Sequence, residues 1–299
     1  MKQLLFIIFI AAFLISLCMP ESSLAQAPQQ NILIGIAPEI NIFKQKQRFD
    51  ALGEFLTKKT GVTVTFTILG SYGEIIDNFI AGKMDGAFFS SFSGIIAIRR
   101  AGAVPLVRPV NLDGTSTYSG YIYVRKDSAI RSVKDMKNMR MAYVDKATTA
   151  GYLFPVAHLR VNGVADSDHY FRETFFTGSH DAAINAVLTR KADVGTAKNS
   201  VYDLLRKRDP RVDRELEVIA ESSRVPSNGL LVRKDLPEPL KKSLRTVLLG
   251  LHGDSEGMAV LQKFAALKFI ETTTHDYQPV FDMAKNAHID VMTYIYRSK

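Results

Sequence analysis

Short apolar runs with a two-residue period are followed, again and again, by a small polar turn and then by a stretch with helical spacing. A chain that keeps returning from helix to strand folds into α/β layers, and few other architectures accommodate the pattern. Residues 31–37 read as a strand, followed by a loop through Pro38, Glu39, Ile40 and Asn41. Phe49, Leu52, Phe55 and Leu56 mark a helix that stops at Gly61. Val62, Val64, Phe66 and Ile68 alternate with polar residues as a strand does, and the turn at residues 70–73 opens a helix carrying Ile75, Ile76, Phe79 and Ile80. Residues 86–89 read as a buried strand, and Ser90, Ser91, Phe92, Ser93 and Gly94 as a turn into the next helix. The expected sheet is largely parallel.

Two further strands, at residues 105–110 and 118–125, precede a restart of the alternation. A strand at residues 141–144 leads to Thr148-Thr149-Ala150-Gly151 and a helix from Thr149. A strand at residues 174–176 leads to Gly178-Ser179-His180-Asp181 and a helix from Asp181, with another strand near residues 193–197. Residues 217–220 and 230–233 are strand-like on either side of a polar link, and from Pro239 the pattern is mostly helical. The simplest assembly is two α/β lobes joined by two crossings, near residues 112–127 and 221–228. Lobe 1 takes residues 28–120 and 224–299, and lobe 2 takes residues 121–223. All four polar turns fall at carboxyl ends of strands, where open α/β sheets bind ligands, so they can line one cleft. Two crossings also make a hinge.

The amino terminus reads as an export signal: Lys2, an apolar run from Leu4 to Leu17, and small residues up to Ala27, after which cleavage is expected. The run is shorter than the ~20 residues a membrane span needs. Cys18 also suggests lipidation, although the bulky Leu17 precedes it. As Cys18 is the only cysteine, the mature chain has no disulfide, thiolate metal site or cysteine nucleophile. The six histidines show no metal-ligand spacing, so neither a metal nor a cofactor is expected. The net charge of +8 comes from scattered Lys and Arg, which suits a solvated surface and the attraction of an anionic solute better than a nucleic-acid footprint. The expected product is a soluble, exported, monomeric protein.

The turns carry the chemistry. Backbone N–H groups at a helix start lack internal partners and sit at the positive end of the helix dipole, so turns of small hydroxyl residues and glycine admit an anion. Thr148 and Thr149 either cap a helix or contact the ligand, and Ala150 offers only its backbone N–H. His180 is a solvated cap or an anion donor. Asp181 caps the helix or accepts a proton from a hydrogen-bearing oxyanion. Tyr72, Phe92 and Tyr118 are core aromatics or cleft contacts, and Ser90 and Ser91 are caps or hydroxyl donors. Glu39 and Asp113 sit in loops, either solvated or placed to meet an amine on the ligand.

Residues 118–128 (YSGYIYVRKDS), 142–155 (AYVDKATTAGYLFP) and 178–181 (GSHD), with 70–72 (GSY) and 193–195 (DVG), resemble the phosphate, phosphite and phosphonate-binding proteins of ABC importers. The resemblance covers most of the chain beyond the signal. It implies a two-lobed periplasmic-binding-protein fold (type II) that closes on one phosphorus oxyanion, performs no reaction on it, and passes it to an ABC permease at the inner membrane. The family's Ser-Thr-Ser-Gly turn corresponds to Thr148, Thr149, Ala150 and Gly151, with the third hydroxyl lost. Its His-Asp pair corresponds to His180 and Asp181. Gly94 stands where the family often has tyrosine, for which Phe92 is a substitute. An alternative within the same fold is a ligand sensor that reports to a membrane signalling partner.

Overall fold

The computed structural model describes residues 31–39, 42–167 and 169–297; the expected export signal, residues 1–27 with Cys18, lies outside the described residues. The chain builds β1 (Asn31–Ile36), α1 (Ile42–Thr60), β2 (Thr63–Ile68), α2 (Tyr72–Ile80), β3 (Gly86–Phe89), α3 (Ser91–Ala101) and β4 (Val104–Asn111). It then forms β5 (Thr117–Tyr118), β6 (Gly120–Arg125), β7 (Arg140–Tyr143), α4 (Phe154–Val161), β8 (Glu173–Phe176), α5 (His180–Leu188) and β9 (Val194–Lys198). The remainder is α6 (Asn199–Arg208), α7 (Pro210–Glu215), β10 (Leu216–Glu221), β11 (Val225–Pro226), β12 (Gly229–Val232), α8 (Glu238–Gly250), α9 (Ser255–Phe264), β13 (Ala266–Glu271) and α10 (Gln278–Asn286).

One sheet has six strands in the order β13-β4-β12-β3-β1-β2 and the other five, β10-β6-β9-β7-β8. The two passages between them each contribute a short strand, and these pair antiparallel, Val225 with Tyr118 and Pro226 with Thr117. The sheets are mixed rather than largely parallel. β2, β1 and β3 run parallel, as do β8, β7 and β9, but β12 and β6 run against their neighbours. The reason lies in the crossings. Each of these two strands enters its sheet where the parallel strands finish, β6 with Gly120 opposite Lys198 and β12 with Gly229 opposite Phe89, so it must run back.

Three local readings change. The expected strand at residues 118–125 divides into β5 and β6, which belong to different sheets. The expected helical tail is interrupted by β13, an edge strand beside β4 whose register shifts between Ala266 and Lys268. The first helix begins seven residues earlier than Phe49, at Ile42.

The spacing of Phe49, Leu52, Phe55 and Leu56 gives α1 a buried face against the six-stranded sheet. Phe49 meets Phe66, Phe88 and Phe264 with ring centroids no more than 5.2 Å apart. Burying each such side chain contributes roughly 2 kcal/mol. A second apolar cluster joins residues of both sheets, among them Tyr72, Phe92, Ile122, Tyr143, Leu231 and Tyr277. The carboxyl ends of the two sheets therefore meet, and the polar turns face each other there.

Candidate functional site

The turn after β7 is tighter and more specific than an ordinary helix start. Thr149–Leu153 form a π turn, in which the Leu153 N–H donates to the Thr148 carbonyl at 3.0 Å and the Phe154 N–H to that of Thr149. Pro155, just beyond the turn, has no N–H to offer the Gly151 carbonyl, so that one α-helical bond cannot form. That carbonyl instead accepts the Thr196 hydroxyl at 2.9 Å and the Val144 N–H at 3.2 Å. The N–H groups of Thr149, Ala150, Gly151 and Tyr152 precede the first bond of the turn. Gly151 is required by space, since a Cβ there would lie 2.4 Å from the Val144 Cβ.

Thr148 and Thr149 differ although both are buried. The Thr148 hydroxyl donates to the Asp145 carbonyl at 2.6 Å, so its hydrogen is committed. Thr149 Oγ1 accepts the Phe92 N–H across the cleft at 2.8 Å, which leaves its hydrogen available to a ligand. Ala150 is buried, with its Cα packed against Gly120.

His180 is the first residue of α5, behind the N-cap Ser179. Its Nδ1 accepts the Lys198 N–H at 3.1 Å, so the ring proton resides on Nε2. Burial lowers the imidazole pKa from 6.5 to about 4, which makes the ring a neutral donor at neutral pH. Its edge meets the Tyr72 ring, with centroids 6.4 Å apart. Asp181 serves the helix start, where its Oδ1 accepts the Ser179 hydroxyl at 2.5 Å and the Ala182 N–H at 3.1 Å.

From the six-stranded sheet come Tyr72 and the serine turn. Tyr72 opens α2 and is fully buried, and its hydroxyl has no hydrogen-bond partner among the described residues. Burial, with Glu39 and Asp145 beyond it, pushes the phenol well above its ordinary pKa, so it too is a neutral donor. Ser90 caps α3, with its Oγ 2.8 Å from Ser93 Oγ and 3.3 Å from the Ala147 carbonyl. Ser91 lies beside the second crossing and donates to the Pro226 carbonyl at 2.5 Å. The Phe92 ring packs against Tyr294 at 5.4 Å, so this residue reaches the cleft through its backbone. The Tyr118 ring lies 4.6 Å beneath Lys198 Nζ.

Four further residues join the site without a sequence signal. The Asp145 carboxylate accepts the Ala147 N–H at 2.8 Å, and its burial raises its pKa. Lys198 and Asn228 meet Glu39, as described below. The Tyr277 ring fills the space left by Gly94, where an added Cβ would lie 3.3 Å from Tyr277 Cε1. Asp113, by contrast, is exposed and closes its own turn on the N–H and hydroxyl of Thr115.

Comparison with known proteins gives this cleft a context. Residues 34–277 match the family model for periplasmic substrate-binding proteins of ABC phosphonate transporters. The phosphate-import protein PhnD of Mycolicibacterium smegmatis is 29% identical over 192 residues, which is 62% of this chain and 60% of that protein's length. The phosphonates-binding periplasmic protein of Escherichia coli is 27% identical over 234 residues, 77% of this chain and 68% of its relative. A crystal structure of a binding-protein component of an ABC phosphonate transporter from Pseudomonas aeruginosa superposes with a TM-score of 0.79, at 25% identity, over 87% of both chains. With its two sheets, two crossings and cleft of helix-start turns, the chain has the two-lobed type II binding-protein fold and belongs to the family of periplasmic phosphonate-binding proteins of ABC transporters.

Proposed function

We propose that the protein captures one phosphorus oxyanion (phosphate, phosphite or a phosphonate) in this cleft and hands it unaltered to the permease of an ABC importer. The observation that carries the reading is Tyr72, a phenol buried where the sheets meet, with its hydroxyl unpartnered among the described residues. An unpaired buried donor costs about 1–3 kcal/mol, which an oxyanion oxygen would recover. The Thr149 hydroxyl, the His180 Nε2–H and the N–H groups of Ala150 and Gly151, which precede the first bond of the π turn, supply the further donors from the other sheet in this reading.

In this reading Ser90 and Tyr118 complete the contacts, and the Phe92 N–H, bonded to Thr149 Oγ1, aims that hydroxyl at the ligand. Thr148 and Ser91 hold the turn and the crossing, and Asp181 fixes the start of α5. All side-chain donors are neutral, so affinity comes from preorganised dipoles. The nearby Asp145 carboxyl favours an oxyanion that still carries a proton. The lobes that close on the ligand are residues 28–120 with 224–299, and residues 121–223. The signal is cleaved after Ala27, and the mature protein acts as a monomer in the periplasm.

The test is a thermal-shift screen of residues 28–299 against phosphate, phosphite, methylphosphonate, sulfate and simple carboxylates. Binding to the native state raises the Tm according to affinity and concentration. A shift with one or more phosphorus oxyanions, and none with sulfate or carboxylates, is the expected result. A shift with sulfate alone would contradict the reading.

A further inference from the structure

Next to the neutral donors lies a space furnished differently. A cavity of about 60 Å³ opens between the end of β1, helix α1, the end of β9 and the second crossing. A buried water needs roughly 10–15 Å³ measured this way, so the space takes about four waters or a short chain of four to five non-hydrogen atoms. One wall is apolar, made by Phe49, Phe88 and Phe264. The other wall is charged.

Lys198 Nζ donates to Glu39 Oε1 at 3.0 Å and to Asn228 Oδ1 at 3.4 Å, and Asn228 Nδ2 donates to the same Glu39 oxygen at 2.9 Å. The backbone N–H of Lys198 also holds His180 Nδ1, so one residue reaches both the oxyanion donors and the cavity. Arg48 lines the same space, with its guanidinium bonded to the Phe264 carbonyl. Gln45 lines it too. Its Oε1 is buried without a partner among the described residues, while its Nε2 is held by the Ala37 carbonyl.

The charges add up unequally: two cations, Lys198 and Arg48, face one carboxylate, Glu39. An ammonium group entering the cavity would raise the excess to two positive charges, whereas a carboxylate would cancel it. An alkyl group would leave the excess of one positive charge as it stands. We infer that this cavity is a second subsite, which receives a carboxylate borne on a short carbon substituent of the phosphorus oxyanion, with Lys198 as the residue that selects it. Glu39 then stands in for the ligand carboxylate and keeps Lys198 paired until the ligand arrives. The inference rests on the reading that the phosphorus oxyanion itself sits among Tyr72, Thr149 and His180.

The experiment is calorimetric titration of residues 28–299 with phosphonoacetate, ethylphosphonate and aminoethylphosphonate. Phosphonoacetate is expected to bind about tenfold or more tightly than ethylphosphonate, as for a charge-assisted hydrogen bond, and aminoethylphosphonate the most weakly. Lys198→Met should bring the ratio of phosphonoacetate to ethylphosphonate affinity to about one, and Glu39→Gln should raise it, because both follow from the same exchange of partners. If Lys198→Met does not fold, the wild-type ratio and the Glu39→Gln ratio decide. Equal wild-type affinity for phosphonoacetate and ethylphosphonate would overturn the subsite and leave oxyanion capture standing. Tightest binding of aminoethylphosphonate would also overturn it and make Glu39 the selecting group. Binding of none of the three would overturn the subsite together with the phosphonate reading beneath it.

Discussion

Around the π turn and His180 the cleft presents hydroxyl, imidazole and backbone donors that carry no charge, whereas beside β1 and α1 its polar wall is made of ions held in pairs. The difference follows from the cost of burial. A hydroxyl or a neutral imidazole loses modest solvation when it leaves water, so Tyr72 can remain buried with an idle donor. An ion cannot be left in that state, and Lys198 is buried only because Glu39 and Asn228 face it. Burial, the largest single influence, pushes the Glu39 carboxyl up, but Lys198, His180 and Arg48 together outweigh it and hold the group below its ordinary pKa. A ligand thus finds ready donors at one end of the cleft and must exchange partners at the other.

The largest expected effect breaks the neutral end through its backbone. Gly151→Ala places a Cβ 2.4 Å from Val144 Cβ and 2.6 Å from Thr148 Oγ1, so the turn must open. Overpacking of this kind costs about 3 kcal/mol, equivalent to a Tm lower by roughly 6 °C or more in a chain of this size. A Tm within about 2 °C of wild type would mean that the turn has room the structure does not contain.

His180 gives an effect of similar size that depends on pH. The unfolded side chain protonates near its ordinary 6.5 and the folded one only near 4. Between those values the unfolded state binds more protons, so stability rises with pH across that window. The contribution is complete above pH 6.5 and is lost as the pH falls toward 4, a span of the order of 3 kcal/mol. Urea unfolding at steps through this range should show a steeper loss in wild type than in His180→Gln. Equal slopes would contradict a buried neutral imidazole.

Tyr72→Phe sharpens the comparison with a smaller effect of mixed sign. Removing the unpartnered hydroxyl should stabilise the ligand-free protein by up to about 1 kcal/mol and weaken oxyanion binding about tenfold. Thermal unfolding together with titration checks both halves. A variant that is less stable and binds as before would assign Tyr72 to the core alone.

Much of this arrangement was legible in the residues themselves. Strands such as Thr63–Ile68 announce their two-residue period, and the turns at Thr148–Gly151 and Ser179–His180 announce hydroxyl and glycine chemistry at strand ends. β13 was not legible, because its register shift between Ala266 and Lys268 spoils the alternation that marks a strand. The π turn, with Leu153 bonded to Thr148 and the Gly151 carbonyl left by Pro155 to Thr196, becomes visible only when the helix is built from its hydrogen bonds. Lys198 and Tyr277 were missed for a different reason. Each reads locally as ordinary surface or core, and each reaches the cleft by tertiary contact, Lys198 against Glu39 and Tyr277 in the space above Gly94.

The most direct test of the central claim, that uncharged donors of the π turn and His180 hold a phosphorus oxyanion, is calorimetric titration of methylphosphonate into wild type and Thr149→Ala at neutral pH. Wild type should bind at a single site, and the variant, still folded, should bind about tenfold or more weakly, the loss that one hydrogen bond to an anion represents. Equal affinity in the two proteins would contradict the account and remove Thr149 from the site.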